Sequence, residues 1–353
     1  MVTAEQIREE LRKVKYPGLS RDIVSFGFVK EISVEPRGVT VHLTPTTGNQ
    51  DVIARIRDEV EKTAARLAGA PVQVVVERAG PRGEAAGAPQ ARAGLPGVAH
   101  IVAVASGKGG VGKSTVAVNL ALALMQLGRE VGLLDADIYG PSVPLMLGIT
   151  QRPRATDDRR IVPISRHGIK VISMGLFLAD DTPVVWRGPM ITKALTEFLK
   201  NVEWGDLDYL VVDLPPGTGD AQLTLVQQVP ISGGVIVTTP QEVALLDVKR
   251  GADMFRQVNA PVLGVIENMS YHLCLHCGRR SEIFGHGGGA RIAAELDIPL
   301  LGEVPLVGQI RQAGDAGAPL VVADPEHPQS AVFREIAGQI LAVLEDRSQR
   351  PLA

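Results

Sequence analysis

Gly107-Lys108-Gly109-Gly110-Val111-Gly112-Lys113-Ser114-Thr115 is the stretch on which the reading of this chain turns. Residues Gly107 to Ser114 satisfy G-x-x-x-x-G-K-[ST] and lie between an apolar run, Ile101 to Ala105, and a helical pattern, Val116 to Leu127. Strand, glycine loop and helix in that order make a phosphate cradle. Glycines let the backbone curl until consecutive N–H groups point at one anion, Lys113 adds a point charge, and the Ser114 hydroxyl is placed to ligate Mg²⁺. Gly107, Lys108, Gly109, Gly110, Val111, Gly112, Lys113, Ser114 and Thr115 are therefore the expected nucleotide-binding residues.

Outward from the loop, short apolar runs alternate with helical patterns: Val131 to Leu134, Ile169 to Ser173, Tyr209 to Val212, Val235 to Thr238 and Val262 to Ile266. This alternation predicts an α/β fold, a P-loop NTPase whose mostly parallel sheet is covered by helices on both faces. Gly128 is expected as the C-cap of the helix after the loop, and Ala331 to Leu344 as the terminal helix. Upstream, Thr3 and Gln6 fit a capping box, and Ile7, Leu11 and Val14 repeat at helical spacing until Pro17-Gly18. Ile23 to Val34 and Val39 to Leu43 read as strands around the turn Glu35-Pro36-Arg37-Gly38. Val52, Ile53, Ile56, Val60 and Leu67 mark a helix, and Val72 to Val76 a further strand. The expected organisation is a small α+β domain over 1–78, a flexible linker over 79–97, an ATPase domain over 98–346 and a tail over 347–353. The linker is rich in Gly, Ala and Pro and has too little apolar surface to offset the entropy of ordering it.

The bulk numbers agree with two domains. At 353 residues the chain exceeds what one core usually organises, and 45% hydrophobic residues suffice for a sizeable interior. A net charge of -3, from 36 Lys+Arg against 39 Asp+Glu, gives no overall drive toward nucleic acid or an anionic membrane. No apolar run reaches the ~18 residues of a membrane span, and the start Met1-Val2-Thr3-Ala4-Glu5-Gln6 lacks the order of a signal peptide. The chain is expected in the cytoplasm. Its two cysteines, Cys274 and Cys277, are too few for a disulfide framework, which leaves metal ligation or redox chemistry for them.

Acidic residues complete the loop's chemistry. Asp135 and Asp137 follow the run Val131 to Leu134, and Asp213 ends the run Tyr209 to Val212. Carboxyl ends of parallel strands face the ligand in open α/β sheets. Lys108, just after the first glycine, is more than an ordinary P-loop needs. With it, Lys108 to Thr115 resembles the deviant Walker A of the MinD, ParA and nitrogenase-iron-protein class. The resemblance implies that Lys108 reaches across a nucleotide-sandwich homodimer to the partner's phosphates, much as an arginine finger acts in trans. It implies Asp213 as the Walker B carboxylate holding Mg²⁺ through water, Asp137 as the residue orienting the attacking water, and Asn268 as the reader of adenine. Lys108, Lys113 and Asp137 are thus the expected catalytic residues. Two other uses stand beside these: Asp137 as a cap for the following segment, and Asn268 as a turn residue. Asp135 is expected to be structural or an outer partner.

The segment Asn268 to Gly278, holding Cys274-Leu275-His276-Cys277, and Phe284-Gly285-His286-Gly287-Gly288-Gly289 narrow the resemblance. Together with Trp186-Arg187-Gly188-Pro189-Met190 and Asp213 to Asp220, they are similar to the Mrp/ApbC group of iron–sulfur cluster carrier ATPases, over about residues 98 to 346. The N-terminal unit resembles the iron–sulfur-assembly domain that often precedes it, though it carries no cysteine. The resemblance implies a [4Fe-4S] cluster held by Cys274 and Cys277 of two subunits, slow ATP hydrolysis, and transfer to apo iron–sulfur proteins and assembly factors. Two sulfurs cannot complete a four-sulfur shell alone. Zinc is the alternative at the cysteines, with His272, His276 or His286 completing a Cys₂His₂ set in one chain. Alternatives for the whole protein are a MinD/ParA-like positioning ATPase, whose basic amphipathic marker the terminal helix lacks, and a zinc-stabilised nucleotide-binding scaffold.

Overall fold

The structure is a computed structural model that describes residues 2–15, 22–24, 28–35, 38–44, 50–69, 71–76, 94–137, 140–158, 160–177, 198–199, 201–217, 220–274 and 276–349. The chain divides by contact into Met1–Gln90 and Ala91–Ala353.

In the first unit, helix α1 (Ala4–Glu10) starts at Thr3, whose Oγ1 accepts from Gln6 N while Gln6 Oε1 accepts from Thr3 N, a reciprocal capping box. Strands β1 (Val29–Glu35) and β2 (Gly38–Leu43) pair antiparallel; after helix α2 (Gln50–Ala68), β3 (Val72–Val76) pairs parallel with β2. Ile7, Leu11, Val14, Val41, Ile56 and Val60 fill the core between helices and sheet. The first strand begins at Val29 rather than Ile23, because Asp22 instead bridges back to Lys15. Thr46-Thr47-Gly48-Asn49 and residues 79–93 of the expected linker lie outside the described residues. The last part of that linker is packed: Leu95 is buried in the core of the second unit, and Val98 N donates to Leu95 O at 3.1 Å.

The second unit is built on β4 (Val98–Ala105), α3 (Lys113–Gln126), β5 (Val131–Asp135), α4 (Val143–Leu147), β6 (Ile164–Arg166), β7 (Ile169–Ser173), β8 (Leu207–Asp213), α5 (Asp220–Gln228), β9 (Gly233–Thr238), α6 (Glu242–Gln257), β10 (Val262–Asn268), α7 (Gly288–Leu296), β11 (Leu300–Val304), α8 (Gly308–Asp315) and α9 (Pro328–Gln349). Its eight-stranded sheet has the order β11-β10-β9-β4-β8-β5-β7-β6, parallel except for the edge strand β6. Alternate residues of β4 go to opposite faces: Val102 and Val104 pack with Val116, Leu120 and Phe333, whereas Ile101, Ala103 and Ala105 pack with Leu225, Leu245 and Ile292. A strand buried on both faces has no polar side to show, which is why these runs are continuously apolar. Helix α3 is likewise buried on nearly every side and so lacks a polar stripe. Gly128 (φ +81) follows the C-cap residue Leu127 and donates to Met125 O at 2.9 Å. Helix α9 continues to Gln349, so the segment expected as a tail starts inside a helix. Among the described residues no helix is long and apolar enough to cross a membrane.

Candidate functional site

Parallel pairing brings the carboxyl ends of β4, β5, β8 and β10 to one edge, and with them Ala105, Asp135, Asp213 and Asn268. Asp213 stands opposite Asp135 in register, and Asp135 opposite Ser173 on β7. The loop Gly107–Gly112 connects β4 to α3 above this edge, so the first turn of α3 points its unpaired N–H groups toward the same space.

Lys113 is 5% exposed; its Nζ donates to Asp213 Oδ1 at 2.5 Å and lies 3.9 Å from Asp137 Oδ2. Ser114 Oγ is 3.4 Å from the same ammonium. Asp135 accepts from Ser173 Oγ at 2.7 Å and from Asp137 N at 3.1 Å. Asp213 and Asp137 therefore share one buried cation, and Asp135 stands beside Asp213 on the neighbouring strand. Burial, and then repulsion from Asp213, push the Asp135 carboxyl up to about 7. Burial also pushes Asp213 up, against the pull of the Lys113 ammonium. The Ser114 hydroxyl adds a weaker favourable interaction with Asp213, at a geometry that leaves Oδ2 buried without a hydrogen bond. A stranded carboxylate oxygen beside a serine hydroxyl, in a space with excess negative charge, is the donor set that suits Mg²⁺, which takes one or two carboxylates and completes its shell with phosphate and water.

Asp137 Oδ1 accepts from Gly140 N at 3.2 Å, as a turn residue does, while its Oδ2 lies on the Lys113 side. Lys108 is half-buried, its carbonyl accepts from Ser106 Oγ at 2.9 Å, and among the described residues its ammonium has no ion pair. Asn268 ends β10 and makes no turn; the left-handed residue is Met269, with φ +55. Asn268 Nδ2 donates to Val111 O at 2.8 Å. Gly112 (φ +80) makes this contact possible, since a Cβ there would stand 2.2 Å from Asn268 Nδ2. Beside it lies a cavity of about 290 Å³ lined by Gly112, Thr115, Asn268, Met269, Leu306, Ile310 and Arg311.

The cysteines sit apart from this edge, in a small hairpin. His272–Leu273 pairs antiparallel with Arg280–Ser281, Cys274 N donates to Arg279 O at 3.0 Å, and Gly278 N to Cys274 O at 2.8 Å. Cys274 is half-buried and Cys277 exposed. The backbone N–H groups of Cys277 and His276, and then the Cys277 thiol, hold the Cys274 thiol below its ordinary range. The pair opens no helix, the usual setting for a thiol–disulfide role. His286 Nδ1 instead faces Glu282 Oε1 at 3.1 Å. Among the described residues no three His, Cys, Asp or Glu side chains converge to hold a metal. Trp186 to Met190 lie outside the described residues.

Two buried polar residues near this edge escaped the sequence reading. Ser173 orients Asp135, and Glu267, fully buried at the end of β10, accepts from Ser270 Oγ at 2.6 Å and from Gly289 N. Both end apolar runs at the ligand-facing edge, the same signal that marked Asp213.

Residues 97–341 match a family model described as a NUBPL iron-transfer P-loop NTPase, and residues 4–76 one described as an iron–sulfur cluster assembly protein. The iron–sulfur cluster carrier protein of Synechocystis sp. is 44% identical over 346 residues, 96% of this chain and 97% of that one. That of Aquifex aeolicus is 45% identical over 344 residues, 93% and 92% of the two chains. Among solved structures, the nucleotide-binding protein in complex with ADP from Archaeoglobus fulgidus is similar with a TM-score of 0.59 and 39% identity, over 67% of this chain and 92% of that one. The cell division ATPase MinD of Pyrococcus furiosus shares the fold, with a TM-score of 0.54 at 23% identity over 69% of this chain and 99% of that one. With most of its length inside one family model and relatives alike from end to end, this chain belongs to the NUBPL iron-transfer P-loop NTPases and carries an iron–sulfur cluster assembly domain before the NTPase unit.

Proposed function

We propose that the chain is an ATP-dependent iron–sulfur cluster carrier that holds a [4Fe-4S] cargo between two copies of itself and passes it to apo iron–sulfur proteins, hydrolysing ATP slowly. The observation that carries this reading is the Cys274–Cys277 pair: two thiols in one small hairpin, one half-buried and one exposed, in the same unit as a nucleotide cradle. The relatives' name, iron–sulfur cluster carrier protein, supports it. A lowered Cys274 thiol favours the thiolate that iron needs, and exposure lets a recipient's ligands approach.

At the cradle, a phosphate competes with Asp213 for Lys113, and the loop N–H groups take its oxygens. The Ser114 hydroxyl and, through water, Asp213 would hold a Mg²⁺ ion, which would supply charge that neutralises the phosphates. Asp137 orients the attacking water, Asn268 reads the adenine edge beside the cavity, and Lys108 reaches the phosphates of the second copy. Exposed Val243, Leu246 and Ile283 offer that copy apolar surface, and Asp247, in the same turn of α6 as Leu246, packs close to Gly107. The expected place of action is the cytoplasm.

Anaerobic reconstitution with iron and sulfide tests the reading. The expected product is brown, with about four iron and four sulfide per two chains. Cys274→Ser is expected to lose the colour and keep ATP binding; a variant that still loads a full cluster contradicts the assignment.

A further inference from the structure

The loop that carries the cysteines is closed by a side chain that the chemistry above does not use. Glu267 accepts from Ser270 just after it and from Gly289, 22 residues later, in the first turn of α7. One buried carboxylate thus holds both ends of the excursion that contains Cys274 and Cys277. Gly289 permits the approach, because a Cβ there would stand 2.9 Å from both Cβ and Oε2 of Glu267.

The same strand end grips the nucleotide loop. Asn268 donates to Val111 O, and Met269, beside it in the cavity wall, takes a left-handed φ of +55 that is costly for a residue with a side chain. Through this reversal the Asn268 side chain reaches the P-loop while that of Ser270 turns back to Glu267. Further on, Ser270 N donates to Val304 O at 3.0 Å and Leu306 N to Tyr271 O at 2.7 Å. Arg280, on the returning strand of the hairpin, lies 3.9 Å over the Tyr271 ring and pairs with Glu303 at 3.1 Å. Hydrogen bonds and packed side chains therefore run without a break from Gly112 to the cysteine hairpin.

We propose that Glu267 is a positioning residue that couples nucleotide occupancy to the geometry of the cysteine pair. The inference rests on the carrier reading above. A nucleotide in the cavity bears on Asn268 and Met269; Ser270 and Gly289 cannot follow independently while both are bonded to one carboxylate, so the strand end and both ends of the cysteine loop shift together. Coupling of this kind requires that the two sites bias one shared element, and the run Glu267–Ser270 is that element.

Iodoacetamide alkylation of the cluster-free, full-length chain, with and without saturating Mg-ATP, reads the coupling directly. In the wild type, ATP is expected to change the Cys274 alkylation rate by about fivefold or more. Glu267→Ala is expected to bind ATP within about threefold of the wild-type affinity yet to respond by less than about twofold. Glu267→Gln restores most of the response, since its amide oxygen accepts from Gly289 while its N–H₂ donates to Ser270. A full response in Glu267→Ala, no response in the wild type, or a Glu267→Gln variant no better than Ala overturns the proposal. Where Glu267→Ala fails to fold, Gly289→Ala takes its place, with the same expected loss and the same overturning result. The carrier reading fails on a different measurement, the absence of bound iron and sulfide after reconstitution of the wild type, which leaves the alkylation result standing.

Discussion

Asp135 stands far from the ordinary chemistry of its residue type. Its carboxyl titrates at about 7 in the folded chain because burial and the neighbouring Asp213 oppose its charge more than Ser173, Asp137 N and Lys113 favour it. In the unfolded chain the value returns to 3.8. Between these limits the folded protein keeps a proton that the unfolded chain has released. Raising the pH through the interval therefore removes stability, and the stabilising contribution is complete only below 3.8. Asp135→Asn has nothing to titrate and keeps an oxygen for Asp137 N. The nucleotide-free variant is expected to gain in melting temperature relative to wild type as the pH rises from 4 to about 7, by a difference worth up to roughly 1.4 kcal/mol per unit of pKa shift. Paired thermal scans at several pH values check it, and a difference that stays flat with pH contradicts the buried, raised carboxyl.

Loops and strand ends, more than helix faces, decide whether the site forms. Gly112 combines φ +80 with an approach of 2.2 Å from its ideal Cβ position to Asn268 Nδ2, so Gly112→Ala strains the loop and displaces Asn268 from Val111 together. A loss of about tenfold or more in ATP affinity is expected, near 1.4 kcal/mol, with the far-ultraviolet circular dichroism unchanged; wild-type affinity by calorimetry contradicts the close approach. The parallel sheet was legible because strands buried on both faces must be apolar throughout, and Asp213 was legible because a carboxylate ends such a run. Glu267 carries the same mark just after Val262 to Ile266, but nothing local tells that a residue 22 positions away comes back to it. Strand β11 is short, carries no β-branched residue except Val304, and contains Gly302, where a Cβ would meet Ile336 of α9 at 2.7 Å; it exists through tertiary packing. The three-residue edge strand β6 and the cysteine hairpin, held by two pairs of residues, are too short for any periodicity to show.

Two copies are required by the proposal twice over, once for the sulfurs and once for Lys108, and the second requirement gives the sharper test. Lys113 serves the phosphates of its own chain, being the first residue of α3 and lying 2.5 Å from Asp213 of the same edge. Lys108 is half-buried, is without an ion pair among the described residues, and is expected to serve the other chain. Each single variant, Lys108→Ala or Lys113→Ala, should then hydrolyse ATP slower by a factor on the order of 10³, the scale of a cationic finger supplied in trans. In an equimolar mixture that exchanges subunits, half the dimers are mixed, and each mixed dimer has one cradle with Lys113 from one chain and Lys108 from the other intact. Its second cradle lacks both. Activity is therefore expected to recover to about one quarter of wild type on mixing, by the statistics of a two-fold assembly. If Lys108 served its own cradle, every site in the mixture would lack one lysine and mixing would restore nothing. Steady-state phosphate release from the two variants, apart and combined, separates the outcomes without any cluster present, so the result speaks to the nucleotide-bound dimer alone.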